Sequence, residues 1–161
     1  MRRRRGGFTL IELLASMTII AILAGIMIPK TGDFINQAKA TAAVSDIQYV
    51  QQAVNSYLAA APTDSTSLPP TAAMGQVPDA FRPDLGANYS FIKGDYTLQY
   101  NNWTFYQSVG GQTTSQTIIG ITMQTKNARL GALVMEKLPL PHFQWGQNDT
   151  QDYTFIVYGL Q

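Results

Sequence analysis

Twenty-one consecutive residues, Phe8 to Ile28, read FTLIELLASMTIIAILAGIMI and carry a single charge, Glu12. At the helical rise they extend about 30 Å, the thickness of a bilayer core. A secretory signal peptide has a shorter apolar stretch of about 7 to 15 residues and then small residues at an A-x-A site; here Pro29, Lys30 and Thr31 follow. As the core helix of a soluble protein, the segment is apolar on every face in a chain with little else to surround it. The segment therefore reads as a membrane span. Arg2, Arg3, Arg4 and Arg5 precede it and no such cluster follows, which places the N-terminus in the cytoplasm and the rest outside.

Glu12 needs an explanation, because a carboxylate in a spanning segment costs about 2.5 to 3.5 kcal/mol on insertion scales. No Lys or Arg lies between Phe8 and Ile28. One turn from the membrane edge, Glu12 either sits protonated or snorkels toward the headgroups. A third solution exists if the chain is cut after Gly7. The new amino group of Phe8 is then a cation at nearly the same depth, and neighbouring chains neutralise each other.

The stretch RRRRGGFTLIELL, from Arg2 to Leu14, resembles the processing site of type IV pilins and of the pseudopilins of type II secretion. A short basic leader ends in Gly7, Phe8 follows, and Glu12 is the fifth residue beyond the cut. Pro29 also matches the family pattern. The resemblance covers about the first fifty residues. It implies that a prepilin peptidase removes residues 1–7 by cutting between Gly7 and Phe8 and methylates the Phe8 amine. It further implies that Glu12 pairs with a neighbour's N-terminus during assembly.

The helix is expected to continue beyond the span, with a kink at Pro29, where a backbone hydrogen bond is lost. Residues 8–28 form the transmembrane and filament-core part, and residues 29–61 an amphipathic helix. In the latter Ile47, Val50, Val54, Tyr57 and Ala61 recur at spacings of three and four, while Gln48, Gln52 and Asn55 line another face. Pro62 ends it. Residues 62–161 form the extracytoplasmic head. Five prolines make 62–88 a loop-rich connection with little regular structure. DYTLQY and WTFYQSV, around Asn101 and Asn102, predict a hairpin with a two-residue turn. Further strands are expected over 117–123, 130–135 and 153–159, with LPLPHFQWGQND as a loop between the last two. Tyr153, Phe155 and Val157 alternate and would face the helix. The fold class is α+β, a long N-terminal helix packed on a C-terminal antiparallel sheet, which is pilin-like.

The remaining residues exclude most chemistry. There is no cysteine, so disulfides, thiol nucleophiles and thiolate metal sites are absent. His142 is the only histidine and has no nucleophile-elbow serine near it, so no catalytic constellation is expected and the chain is not an enzyme. Outside the leader the seven basic residues are scattered singly, which argues against nucleic acid as a partner. Asn148, Asp149 and Asp152 form the only acidic loop cluster. They either sit in solvent or help to hold calcium, as the major pseudopilins do in a C-terminal loop; EF-hand spacing is absent. Trp103, Tyr106, Tyr96 and Tyr100 read as core and filament interface, with a carbohydrate platform as the other reading.

The resulting expectation is a non-enzymatic structural subunit that waits in the inner membrane and polymerises through its apolar helix. Its partners are copies of itself or related pilins, the prepilin peptidase, an inner-membrane assembly platform and the membrane. Its destination is a periplasmic pseudopilus or a surface pilus. The competing expectation, a monomeric single-pass anchored binding module, leaves Glu12 and the Gly7-Phe8 junction unexplained.

Overall fold

A computed structural model describes residues 9–60, 68–109, 112–147 and 149–159. Helix α1 (Leu10–Ala60) is followed by a 3-10 turn (Asp79–Phe81) and a short α2 (Arg82–Leu85). Then come β1 (Thr97–Val109), β2 (Gln112–Thr125), α3 (Ala128–Lys137), β3 (His142–Gln147) and β4 (Thr150–Tyr158). Two compact units meet between Asn36 and Gln37, inside α1. The first is the apolar part of the helix; the second is α+β.

In the second unit, Ala40, Ala43, Ile47, Val50, Ala53 and Val54 of α1 are buried. Their three- and four-residue spacing puts them on one face, and Gln48, Gln52 and Asn55 stay exposed, as the periodicity predicts. That face shares one core with Leu98 and Tyr100 of β1, Ile119, Ile121 and Met123 of β2, and Tyr153 and Phe155 of β4. The 3-10 turn joins helix to sheet through rings: Phe81 stands edge-on to Tyr57 at 5.7 Å and to Tyr100 at 4.9 Å. Asp46 ties α1 to the segment before β1. It accepts hydrogen bonds from the hydroxyls of Tyr89 at 2.8 Å and Tyr96 at 2.5 Å, and Lys93 Nζ lies 3.1 Å away. Burial, reinforced by the bond to Asp46, holds both phenols well above their ordinary pKa.

The four strands form one antiparallel sheet in the order β1-β2-β4-β3. α3 and β3 lie in the connection between β2 and β4. Residues 71–75 run along the outer edge of β1, where Ala72 N donates to Tyr100 O and Gly75 N to Leu98 O.

Three expectations need correction. Asn101 and Asn102 make no turn: β1 passes straight through them, and Val109 pairs with Gln112 at the end of the hairpin. The asparagines serve as strand residues because both amides find acceptors, Asn101 Nδ2 on Thr122 Oγ1 at 2.8 Å and Asn102 Nδ2 on Pro69 O at 2.9 Å. Residues 130–135 are helix, not strand. Asn127 caps α3 by accepting from Leu130 N at 3.1 Å, and Leu130, Gly131, Leu133 and Val134, with Leu138 just beyond the helix, are the buried positions, a helical spacing. The segment 138–149 is not a plain loop, since it contains β3. The connection 62–88 is loop-rich as expected: among its described residues the regular elements are the 3-10 turn and α2, with Pro83 in the first turn of α2.

Candidate functional site

The first unit presents the apolar helix, where Glu12 is the one carboxylate between Thr9 and Ile28. Every large hydrophobic residue from Leu10 to Met27 is between 52% and 80% exposed, and these residues occur on all sides of the helix. Among the described residues nothing of this chain covers them. Such a surface is stable only in lipid or against other helices. Hydroxyls within it are satisfied locally: Ser16 Oγ donates to Glu12 O and Thr18 Oγ1 to Leu14 O, both at 2.8 Å.

The partner of Glu12 is not a cation. Glu12 Oε2 accepts from Thr9 N at 2.9 Å and from Thr9 Oγ1 at 2.8 Å, and Glu12 N approaches Thr9 Oγ1 at 3.4 Å. Leu13 N donates to Thr9 O, the first helical bond. Thr9 is thus the N-cap and Glu12 the third helical residue, a reciprocal capping box. The signal was present in sequence as T-x-x-E ahead of an apolar run. Phe8 and Gly7 lie outside the described residues. Pro29 lies within α1, not at its end.

The other candidate residues are dispersed. Asp149 is exposed in the turn between β3 and β4, whose strands close on the Gln147–Thr150 pair. Asp152 lies on β4 and accepts from Gln124 Nε2 at 3.0 Å. Asn148 lies outside the described residues. Among the described residues no group of three or more His, Asp or Glu is placed to hold a metal ion. His142 is exposed, its Nδ1 2.9 Å from Leu140 O. The four aromatic residues do not share a platform. Tyr96 and Tyr100 are buried, and Trp103 lies on the opposite face of the sheet from Tyr100, across Gly120, where a Cβ would stand 2.6 Å from the indole. Tyr106 alone of the four is largely exposed.

A helix of this kind, apolar on all sides and capped by its own carboxylate, followed by an α+β unit with one antiparallel sheet, is the build of a pilin-like subunit. Residues 2–28 match the family model described as the prokaryotic N-terminal methylation motif. The chain is also similar to type II secretion system core protein G of Pseudomonas aeruginosa, at 39% identity over 56 residues. That stretch is 35% of this chain and 39% of the relative, so the match spans well under half of either. No solved structure matches the chain. The resemblance carried by Arg2 to Leu14 therefore holds, and it is a resemblance to structural subunits and not to enzymes.

Proposed function

We propose that the chain is a filament subunit of the pilus or pseudopilus type. A prepilin peptidase cuts between Gly7 and Phe8 and methylates the Phe8 amine; the subunit then waits in the inner membrane with its N-terminus cytoplasmic. An assembly platform transfers it into a filament whose core is α1. The observation that carries this reading is the apolar half of α1, exposed on every side and joined to an α+β unit that buries its own core. Lipid covers that surface before assembly and neighbouring helices cover it after, so one surface serves two environments of similar polarity. Pro29 supplies the bend that lets the helix adapt.

Intact-mass analysis of purified protein, combined with electron microscopy of sheared and periplasmic fractions, tests this. The expected result is a chain beginning at methylated Phe8 and filaments that contain it. Retained Arg2 to Arg5, or a processed chain that is always monomeric, overturns the reading in favour of an anchored binding module.

A further inference from the structure

The α+β unit has two open strand edges. β4 pairs with β2 only from Ile119 to Thr125, so the six pairs from Thr104↔Thr117 to Val109↔Gln112 form a two-stranded arm, flanked at its base by Gly159, which lies against Thr117 and accepts from Gln116 Nε2, and without a third strand beyond that among the described residues. Among the described residues the cover on the β1 edge reaches no further than Asn102, which Thr71 and Pro69 contact. A two-stranded ribbon alone is marginally stable in water. Phe105 is 56% exposed and Tyr106 75%, and successive residues point to opposite faces, so both faces of the arm carry an uncovered ring. At the far side of the sheet, β3 pairs with β4 only, and its residues 142–146 are exposed, Phe143 and Trp145 with their rings 6.0 Å apart.

Strand edges are ordinarily protected by charge, especially lysine, or by proline within the strand. Neither edge has such protection. From Tyr96 to Thr125 there is no Asp, Glu, Lys or Arg, and there is none from Leu138 to Asn148. This is where a chain with ten acidic and eleven basic residues places none of them.

We infer that the β1–β2 arm of one copy pairs with the β3 edge of a second copy, making a head-to-head-neighbour contact that supplements the helical core. Both surfaces are uncharged, aromatic and short of one strand, and both belong to the same chain, which makes a second copy the fitting occupant. They lie at opposite edges of the sheet and differ from each other. Pairing is therefore heterologous and leaves a free arm and a free edge at the two ends, the condition for an open filament and not a closed dimer. Six residues of strand pairing are weak alone. Once α1 holds neighbouring copies together, the high effective concentration makes them sufficient.

The inference rests on the filament reading, so its test is made on assembled full-length protein. Tyr106 is replaced by the photo-crosslinker p-benzoylphenylalanine, an aromatic side chain at an exposed position, and the irradiated filaments are digested and mapped by mass spectrometry. The expected product joins position 106 to residues 142–147 of a second copy, and Trp145→Lys abolishes it while the circular dichroism spectrum is unchanged. Filaments with no cross-link, or with cross-links elsewhere, overturn the arm contact and leave the filament reading standing. Absence of filaments from the unmodified protein overturns both.

Discussion

Gly131 sits in the second turn of α3, where the helix crosses Tyr153 of β4. A Cβ built there would lie 2.1 Å from the Tyr153 ring and 2.4 Å from its hydroxyl, against about 3.5 to 4 Å for carbon atoms in contact. The ring cannot step aside easily. Tyr153 is 1% exposed, and its hydroxyl donates to Gln151 Oε1 at 2.8 Å. In Gly131→Ala two effects oppose. Helix propensity favours alanine by about 1 kcal/mol, while overpacking a filled site costs about 1 to 3 kcal/mol, and a clash this deep belongs at the upper end. The net expectation is a loss of about 2 kcal/mol. For a unit of about 125 residues that corresponds to a fall in Tm of about 6 to 12 °C, read by thermal circular dichroism of the full chain in detergent. Adding Tyr153→Leu removes the ring, so the double variant should lose less than the two single losses combined, with a coupling of about 1 to 2 kcal/mol. If Gly131→Ala is instead more stable than the parent, propensity acts alone and the packing of α3 on β4 is refuted.

Tyr100 buries a hydroxyl without a hydrogen-bond partner among the described residues. Tyr100→Phe should therefore leave thermal stability unchanged or raise it by up to about 1 kcal/mol, and a clear fall in Tm would show that the hydroxyl has a partner. Burial raises the pKa of Tyr89, Tyr96 and Tyr100, and the Asp46 carboxylate adds to the effect for the first two. Unfolded phenols release protons near pH 10 while the folded ones keep theirs, so this stability is complete below about pH 10 and declines as pH rises through and beyond it. A Tm that stays flat to about pH 11.5 contradicts that environment. Chelation decides whether Asn148, Asp149 and Asp152 hold calcium: with calcium bound, EGTA lowers Tm by several degrees, and an unchanged Tm retires the site.

The long helix, the α+β class and the single antiparallel sheet were legible because each rests on periodicity over many residues. The apolar run from Phe8 to Ile28 and the stripe Ile47, Val50, Val54 needed no tertiary knowledge. Local signals failed where a tertiary partner changed their meaning. Asn101-Asn102 resembles a turn until Thr122 and the carbonyl of Pro69 supply acceptors for the two amides. LGALVM looks like a strand because Leu and Val suit both structures, and the deciding feature, Asn127 as a cap, lies outside the apolar run. β3 was hidden because Pro139 and Pro141 mark the segment as loop, although they precede the strand and leave its ladder intact. At the candidate site, Glu12 lacks a cation within the apolar run and its partners are instead a hydroxyl and a backbone N–H three residues away, a T-x-x-E pattern legible in the sequence.

That capping box changes what Glu12 has to explain. A bare carboxylate in the span costs about 2.5 to 3.5 kcal/mol, but hydrogen bonds to a charged group contribute about 1.5 to 3 kcal/mol each, so the two donors of Thr9 offset much of it within one chain. Tolerating Glu12 in the membrane therefore needs no neighbour, and the proposed pairing with the Phe8 amine must be tested by a change that separates capping from charge. Glutamine makes the distinction, because it completes a capping box as glutamate does and carries no charge. If Glu12 only starts the helix, Glu12→Gln assembles normally and Glu12→Leu, which removes the side-chain acceptor, is impaired. If charge pairing between copies drives assembly, both variants reach the membrane with a folded head and both give few filaments by electron microscopy. Normal filament yield from Glu12→Gln would leave the carboxylate as a helix cap and remove charge pairing from the assembly mechanism.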